Sequence, residues 1–327
     1  MVDISILDFA IVREGDSIRD AVQRSVELAV NAERWGYRRF WLAEHHNNEA
    51  VASAATALVI SQIAAATASI RVGAGGIMLP NHAPLVVAEQ FGTLDALYPG
   101  RIDLGLGRAS GSDEAGEAAI GRPGRRERFA EDVSELLGLL GPSKPDQAVR
   151  AIPGTGSQAP VWILGSTTNG AELAARLGLP FAFAAHFRPD NLIPALAAYR
   201  DGFKPSPRLD RPRSIVTVSA VVAETDAEAR FLASSMSELA LGTFRNAPKK
   251  LRPPRSDVEA GWSEADLAIV NALRRRSQVG SHATVREGLR ALIAEAGVDE
   301  LMFFSTVHDT EPRHRSYEML AEIAKTL

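Results

Sequence analysis

Glu44, His45 and His46 close the run Phe40 to His46, FWLAEHH, so that a carboxylate and two imidazoles stand where an apolar segment ends. Imidazole, with an ordinary pKa of about 6.5, is the side chain suited to proton transfer near neutrality. A strand buried on both faces usually exits into turn residues, and three titratable groups there point to proton chemistry or ligand binding. For an isolated pair of histidines, a polar surface loop is an equal reading. In an extended backbone His45 and His46 point to opposite sides, so one of them faces any site at the strand end. That argues against a binuclear metal hydrolase, which needs two histidines two positions apart. A mononuclear site from Glu44, His45 and His186 stays open, with nothing in the spacing to favour it, and no metal is expected.

Other apolar runs end in polar or small residues too. Gly73, Gly75 and Gly76 interrupt one, before MLPNH; Gly107 and Arg108 follow another; Gly165, Ser166 and Thr167 a third; then come His186, and Ser305, Thr306 and His308. Glycine inside a strand weakens it unless backbone or ligand must come close, and a bulge at a barrel rim is the bland alternative. In PVWILGSTTNGAELAARLG, Ser166 and Thr167 sit where a helix begins, and free N–H groups there suit a phosphate; a plain N-cap explains one hydroxyl equally well. Arg108 can supply the opposing guanidinium.

These ends converge only if the strands close into a barrel, where every carboxyl end shares one face. Eight runs read as strands: Ile4 to Asp8, Arg39 to Ala43, Ile70 to Met78, Arg101 to Leu106, Pro160 to Leu164, Pro180 to Ala184, Ser214 to Val222 and Glu300 to Ser305. Helical patterns alternate with them, which predicts an α/β fold, a (β/α)8 TIM-like barrel, as a single domain over 1–327. Asp16 to Trp35 starts at a capping Asp or Ser and stops at Gly36. Ala52 to Thr67 is small-residue rich on every side and packs against another helix, in this chain or in a second subunit. Two segments break the rhythm as insertions: Gly107 to Arg128, after strand 4, a candidate lid, and Asn246 to Ala260, between strands 7 and 8.

The chain has 327 residues, 46% hydrophobic, ample for a large core. Lys and Arg number 36 against 40 Asp and Glu, a net charge of -4, which offers no footprint for nucleic acid or an anionic membrane. The absence of cysteine excludes disulfides, thiolate metal sites and a thiol nucleophile. Acids near the N-terminus and the lack of a long apolar run predict a cytoplasmic protein.

AEHH, the glycine run with MLPNHAPLVVAEQF, YPGRIDLGLGRASG, LGSTTNGAELAARLGLPFAFAAHF and VDELMFFSTVHD, in this order, resemble the luciferase-like monooxygenase family of flavin-dependent enzymes. The resemblance spans nearly the whole chain. It implies a homodimeric barrel that uses reduced FMN and O2 on a small or medium organic substrate, the flavin being reduced by a separate reductase. A deazaflavin-dependent hydride-transfer oxidoreductase or a non-catalytic flavin carrier on the same fold are the alternatives. By the family's pattern His45 is the active-site histidine, assisted by Glu44; Gly75 and Gly76 form a non-proline cis peptide against the flavin ring; Arg108, Ser166 and Thr167 hold the phosphate. Luminescent relatives carry a pocket cysteine that this chain lacks, so light emission is not expected. No GxGxxG stands between a strand and a helix, consistent with NAD(P)H being consumed elsewhere.

Overall fold

The computed structural model describes residues 2–327. Its first half runs β1 (Asp3–Asp8), α1 (Ile18–Trp35), β2 (Arg39–Leu42), α2 (Thr56–Ala66), β3 (Arg71–Met78), α3 (Pro84–Leu97), β4 (Ile102–Gly107), α4 (Glu114–Ile120) and α5 (Phe129–Leu140). Then follow β5 (Val161–Gly165), α6 (Thr168–Leu177), β6 (Phe181–Ala184), α7 (Leu192–Asp201) and β7 (Ser214–Ala223). The last part holds α8 (Asp226–Leu232), α9 (Ser234–Phe244), α10 (Glu264–Arg274), β8 (Gln278–Ser281), α11 (His282–Ala296), β9 (Glu300–Phe304) and α12 (Thr310–Ala324).

Strands β1 to β7 pair in sequence, all parallel, and β9 bridges β7 and β1, closing an eight-stranded barrel. The eight runs read from the sequence are these strands. β8 is an addition: it pairs with Ala220 to Ala223, where β7 overshoots the barrel. Its QVGS carries too little apolar content to announce a strand. α1 begins as its sequence dictates, with Ser17 and Asp20 exchanging capping bonds, and ends at Gly36, whose φ of 87° favours glycine. The small-residue helix starts at Thr56, four residues later than its composition suggests, because Ser53 is held back by bonds from its hydroxyl to the carbonyls of Phe9 and Ala43.

The amino-terminal end of the barrel holds a polar layer inside strands that read as apolar. Arg39, 2% exposed, binds Asp103 at 2.6 Å and Glu300 at 2.6 Å, both carboxylates fully buried. Trp41 Nε1 donates to Asp103 at 3.0 Å, and the guanidinium lies 5.0 Å from the Trp162 ring. Removing one partner of such a network strands a buried charge, typically at about 3 to 5 kcal/mol. This end is a structural base, and the open chemistry lies opposite.

Candidate active site

The carboxyl ends of the strands surround a cavity of about 900 Å³, lined by Gly75, His45, Arg108, Ser166, Thr167 and His186 together. The segment after β4 forms one wall through Gly107 to Asp113. It is fixed there by His46 N–H donating to Gly111 O at 2.8 Å and by Asn47 Nδ2 donating to Asp113 at 2.9 Å.

Glu44 is 1% exposed, and its carboxylate does not meet His45. It accepts from His46 Nε2 at 2.8 Å, His82 Nε2 at 2.9 Å, Asn81 Nδ2 at 3.1 Å and the Met78 N–H at 3.2 Å. Burial works to raise its pKa, but the bonds from His46 and His82 outweigh it and hold it at about 2. The same bond raises the pKa of His46. Glu44, His46 and His82 keep their ligand-type atoms within 4.8 Å of one another, a group different from the Glu44, His45 and His186 set considered from sequence. Asn81 and His82 were missed as partners, although the MLPNH run carrying them stood at the strand end.

His45 turns the other way. Its Nδ1 meets the backbone carbonyl of Glu44, which can only accept, so Nδ1 carries the proton and Nε2 is left as an acceptor. Phe9 packs edge-on against its ring at 5.1 Å. Burial pushes its pKa down to about 4, the nearby Glu44 charge offsetting only part of this. The pKa near neutrality expected for an unperturbed histidine is thus corrected: the His45 imidazole is neutral at physiological pH. His46 lines the cavity as well, so the expectation that only one of the two histidines faces the site is corrected: β2 ends at Leu42, and the alternation of an extended strand does not hold at 44–46.

The Gly75–Gly76 peptide is cis. A Cβ on Gly75 would come 2.8 Å from Leu7 and 3.1 Å from Trp41, while one on Gly76 would meet the Gly105 carbonyl oxygen at 2.6 Å. Gly75 lines the cavity; Gly76 faces β4, where the pairing slips between Ala74 and Ile77. Close backbone approach and a rim bulge therefore both account for the glycines.

Arg108 is exposed at the cavity edge. Thr167 is the N-cap residue of α6 but makes no capping bond with its side chain, so the first N–H groups of the helix are left without that partner. Asn169 and Gly170 of this first turn also line the cavity. Ser166 is held through its carbonyl, which accepts from Asn191 Nδ2 at 3.0 Å.

The insertion after β7 is larger than the Asn246 to Ala260 stretch that marked it. α9 and α10 roof the cavity through Met236, Ala240, Phe244, Val270 and Leu273. Leu251 ties the segment between them to the β1 end, bonding Val12 and Glu14 at 2.9 Å each. The box from Ser263 to Asp266 that starts α10 was legible in the sequence and unread.

The model of the luciferase-like monooxygenase family matches residues 4–300. The chain belongs to this family. A luciferase-like monooxygenase of Escherichia coli (strain K12) is 44% identical over 100% of this chain and 98% of its own length. The uncharacterized protein YvbT of Bacillus subtilis (strain 168) is 46% identical over 98% and 96%, and the N-acetyl-S-alkylcysteine monooxygenase of the same organism 31% over 98% and 98%. Among solved structures, apo-MsnO8 superposes with a TM-score of 0.88 at 35% identity, covering 100% of this chain and 99% of that one. The luciferase-like barrel also underlies an FMN complex of a type II Baeyer-Villiger monooxygenase from Pseudomonas putida, TM-score 0.71 at 18% identity over 100% and 98%. It underlies an F420-dependent secondary alcohol dehydrogenase as well, 0.73 at 16% over 98% and 98%. In luciferase-like monooxygenase terms this chain is an oxidoreductase. No helix of the described residues is long and apolar enough to cross a membrane.

Proposed function

We propose that the protein is a homodimeric monooxygenase that uses reduced FMN and O2 on a small or medium organic substrate, with a separate reductase supplying the flavin. The observation that carries this reading is one cavity with three features: the side-chain-free Gly75, the neutral acceptor His45, and an anion-binding end at Arg108 and the uncapped α6 N-terminus. The residues fit the cofactor, because the helix N–H groups lack a side-chain cap and a phosphate would supply one. The N-acetyl-S-alkylcysteine monooxygenase name of one relative supports oxygen transfer, and the FMN complex on the same fold supports the cofactor.

Reduced FMN, when bound, supplies the two electrons with which O2 yields one oxygen atom for the substrate and one for water. The chain's part is positional and protonic. Arg108, Ser166, Thr167 and the first turn of α6 would hold the phosphate, and the bare backbone of Gly75 at the cavity would lie against a flat ring. His45 Nε2 accepts a proton, its tautomer fixed by the Glu44 carbonyl, while Glu44 itself anchors the β2 exit to the β3 exit. α9, α10 and the segment after β4 exclude water.

The test is anaerobic titration with reduced FMN, riboflavin and a deazaflavin, followed by labelled O2 and a substrate panel read by mass spectrometry. Preference for FMN and one labelled atom in the product are expected. Tighter deazaflavin binding with no label would move the assignment to hydride transfer.

A further inference from the structure

Glu44 is a buried carboxylate with no permanent cation beside it. It is 1% exposed, and its ion-pair partners among the described residues are His46 and His82, with no Lys or Arg. Buried charges are ordinarily paired or bind a metal. The flavin reading gives this carboxylate an anchoring part and leaves His82 without a part of its own.

The fold gathers three ligand-type groups here from two strand exits. Glu44 and His46 lie just past the end of β2, and His82 follows the turn Leu79–Asn81 after β3. His46 Nε2 and His82 Nε2 stand 2.8 and 2.9 Å from the same oxygen, Glu44 Oε1, and one ligand-type atom from each of the three residues lies within 4.8 Å of the others. Around a tetrahedral zinc ion, with bonds of about 2.0 to 2.1 Å, such atoms are about 3.3 to 3.4 Å apart, so a small adjustment of the two rings admits the ion. Neither Nδ1 has a protein hydrogen-bond partner among the described residues, so each ring can carry its proton there and present a lone pair at Nε2. Both imidazoles are partly exposed, which gives an ion a way in. Asn81 Nδ2, 3.1 Å from Glu44 Oε1 and 2.8 Å from the Ser110 carbonyl oxygen, orients the carboxylate, as does the Met78 N–H at 3.2 Å from Oε2.

We propose that Glu44, His46 and His82 form a mononuclear site for a zinc-type divalent ion, with a fourth position open to water. Two imidazoles favour such an ion over Mg2+ and Ca2+, which take oxygen ligands. The ion supplies the positive charge that the carboxylate lacks and crosslinks the β2 exit to the β3 exit. Without it the imidazoles donate to the carboxylate, as described above. His45 and His186 stay outside the set, so the site does not depend on the flavin reading.

The experiment titrates chelator-treated full-length protein with Zn2+ alone, followed by calorimetry and thermal unfolding. One ion per chain, saturating at micromolar concentration and raising the unfolding midpoint, is expected, with no response to Mg2+ or Ca2+ at the same concentration. His82→Gln should weaken Zn2+ at least about 100-fold, and Asn81→Ala, which removes an orienting partner, about 10- to 100-fold. His308→Gln, which removes the His308–Asp309 pair at 2.8 Å after β9, should leave it unchanged. X-ray absorption of the zinc-loaded wild type should show two imidazole nitrogens on the metal, a readout that decides even if His82→Gln fails to fold. No saturable zinc in the wild type, equal affinity in a folded His82→Gln, loss of binding in His308→Gln, or fewer than two imidazoles on the metal would each overturn the proposal.

Discussion

Glu44 divides the labour of its two neighbours: its carboxylate takes His46 Nε2 at 2.8 Å, and its backbone carbonyl takes Nδ1 of His45. One histidine is thereby tied to the buried carboxylate and the other left as a neutral imidazole. The division arises beyond the end of β2 at Leu42, where the chain leaves the sheet and the two imidazoles take different atoms of the same residue.

Glu44→Gln is expected to lower stability by about 1 to 3 kcal/mol near pH 6, because Gln cannot accept from His46, His82, Asn81 and Met78 as a carboxylate does. The sign with pH follows from the shifts. The folded Glu44 pKa of about 2 lies below its ordinary 4.5, so its contribution is full above about 4.5 and is lost as pH falls towards 2. The raised His46 adds stability below its ordinary 6.5 that disappears as pH rises through its folded value. Denaturant unfolding of both proteins from pH 3 to 9 checks this; a wild-type advantage growing as pH drops below 4 would contradict it.

Arg108→Ala is expected to weaken FMN by about 1.5 to 3 kcal/mol, roughly 10- to 150-fold, and to spare riboflavin, which has no phosphate. Calorimetry with both ligands decides. Equal losses would remove Arg108 from the phosphate end.

The barrel was legible because eight apolar runs ended in residues that make little sense as turns, and convergence of those ends needs closure. What the sequence concealed is long-range pairing. Arg39, Asp103 and Glu300 sit in runs that pattern reading takes as apolar, and only their mutual neutralisation across β2, β4 and β9 makes burial tolerable. His82 became the partner of Glu44 through a contact 38 residues apart, and no local spacing reports that. The lowered pKa of His45 was equally hidden, since its largest cause is burial in the folded chain, with the neighbouring His46 adding to it and Glu44 opposing it.

The homodimer is expected to form through α2 and α3. Leu58 is 71% exposed, Leu97 61% and Val86 44%, and exposed apolar side chains on two adjoining helices mark an association surface. Leu58→Arg should shift sedimentation from dimer to monomer at micromolar concentration while leaving the fold intact. A monomeric wild type would end the proposal.

His45→Gln is expected to retain the fold and most FMN affinity while slowing turnover about 10²- to 10⁴-fold, the usual worth of a general acid–base group. Because the folded pKa of His45 is lowered to about 4 from 6.5, the unfolded chain binds the extra proton between those values, so folding stability rises with pH across that window. The same shift places the acid limb of wild-type turnover near pH 4, not near neutrality, and His45→Gln should abolish that limb. His46→Gln serves as the comparison: it opens the Glu44 network and should lower stability more than rate. Rapid-mixing measurements of oxygen reaction and product formation from pH 4 to 9 separate the two; an equal slowing by both substitutions, or a wild-type limb near pH 6.5 that His45→Gln removes, would show that His45 is not the neutral base described by its bond to Glu44.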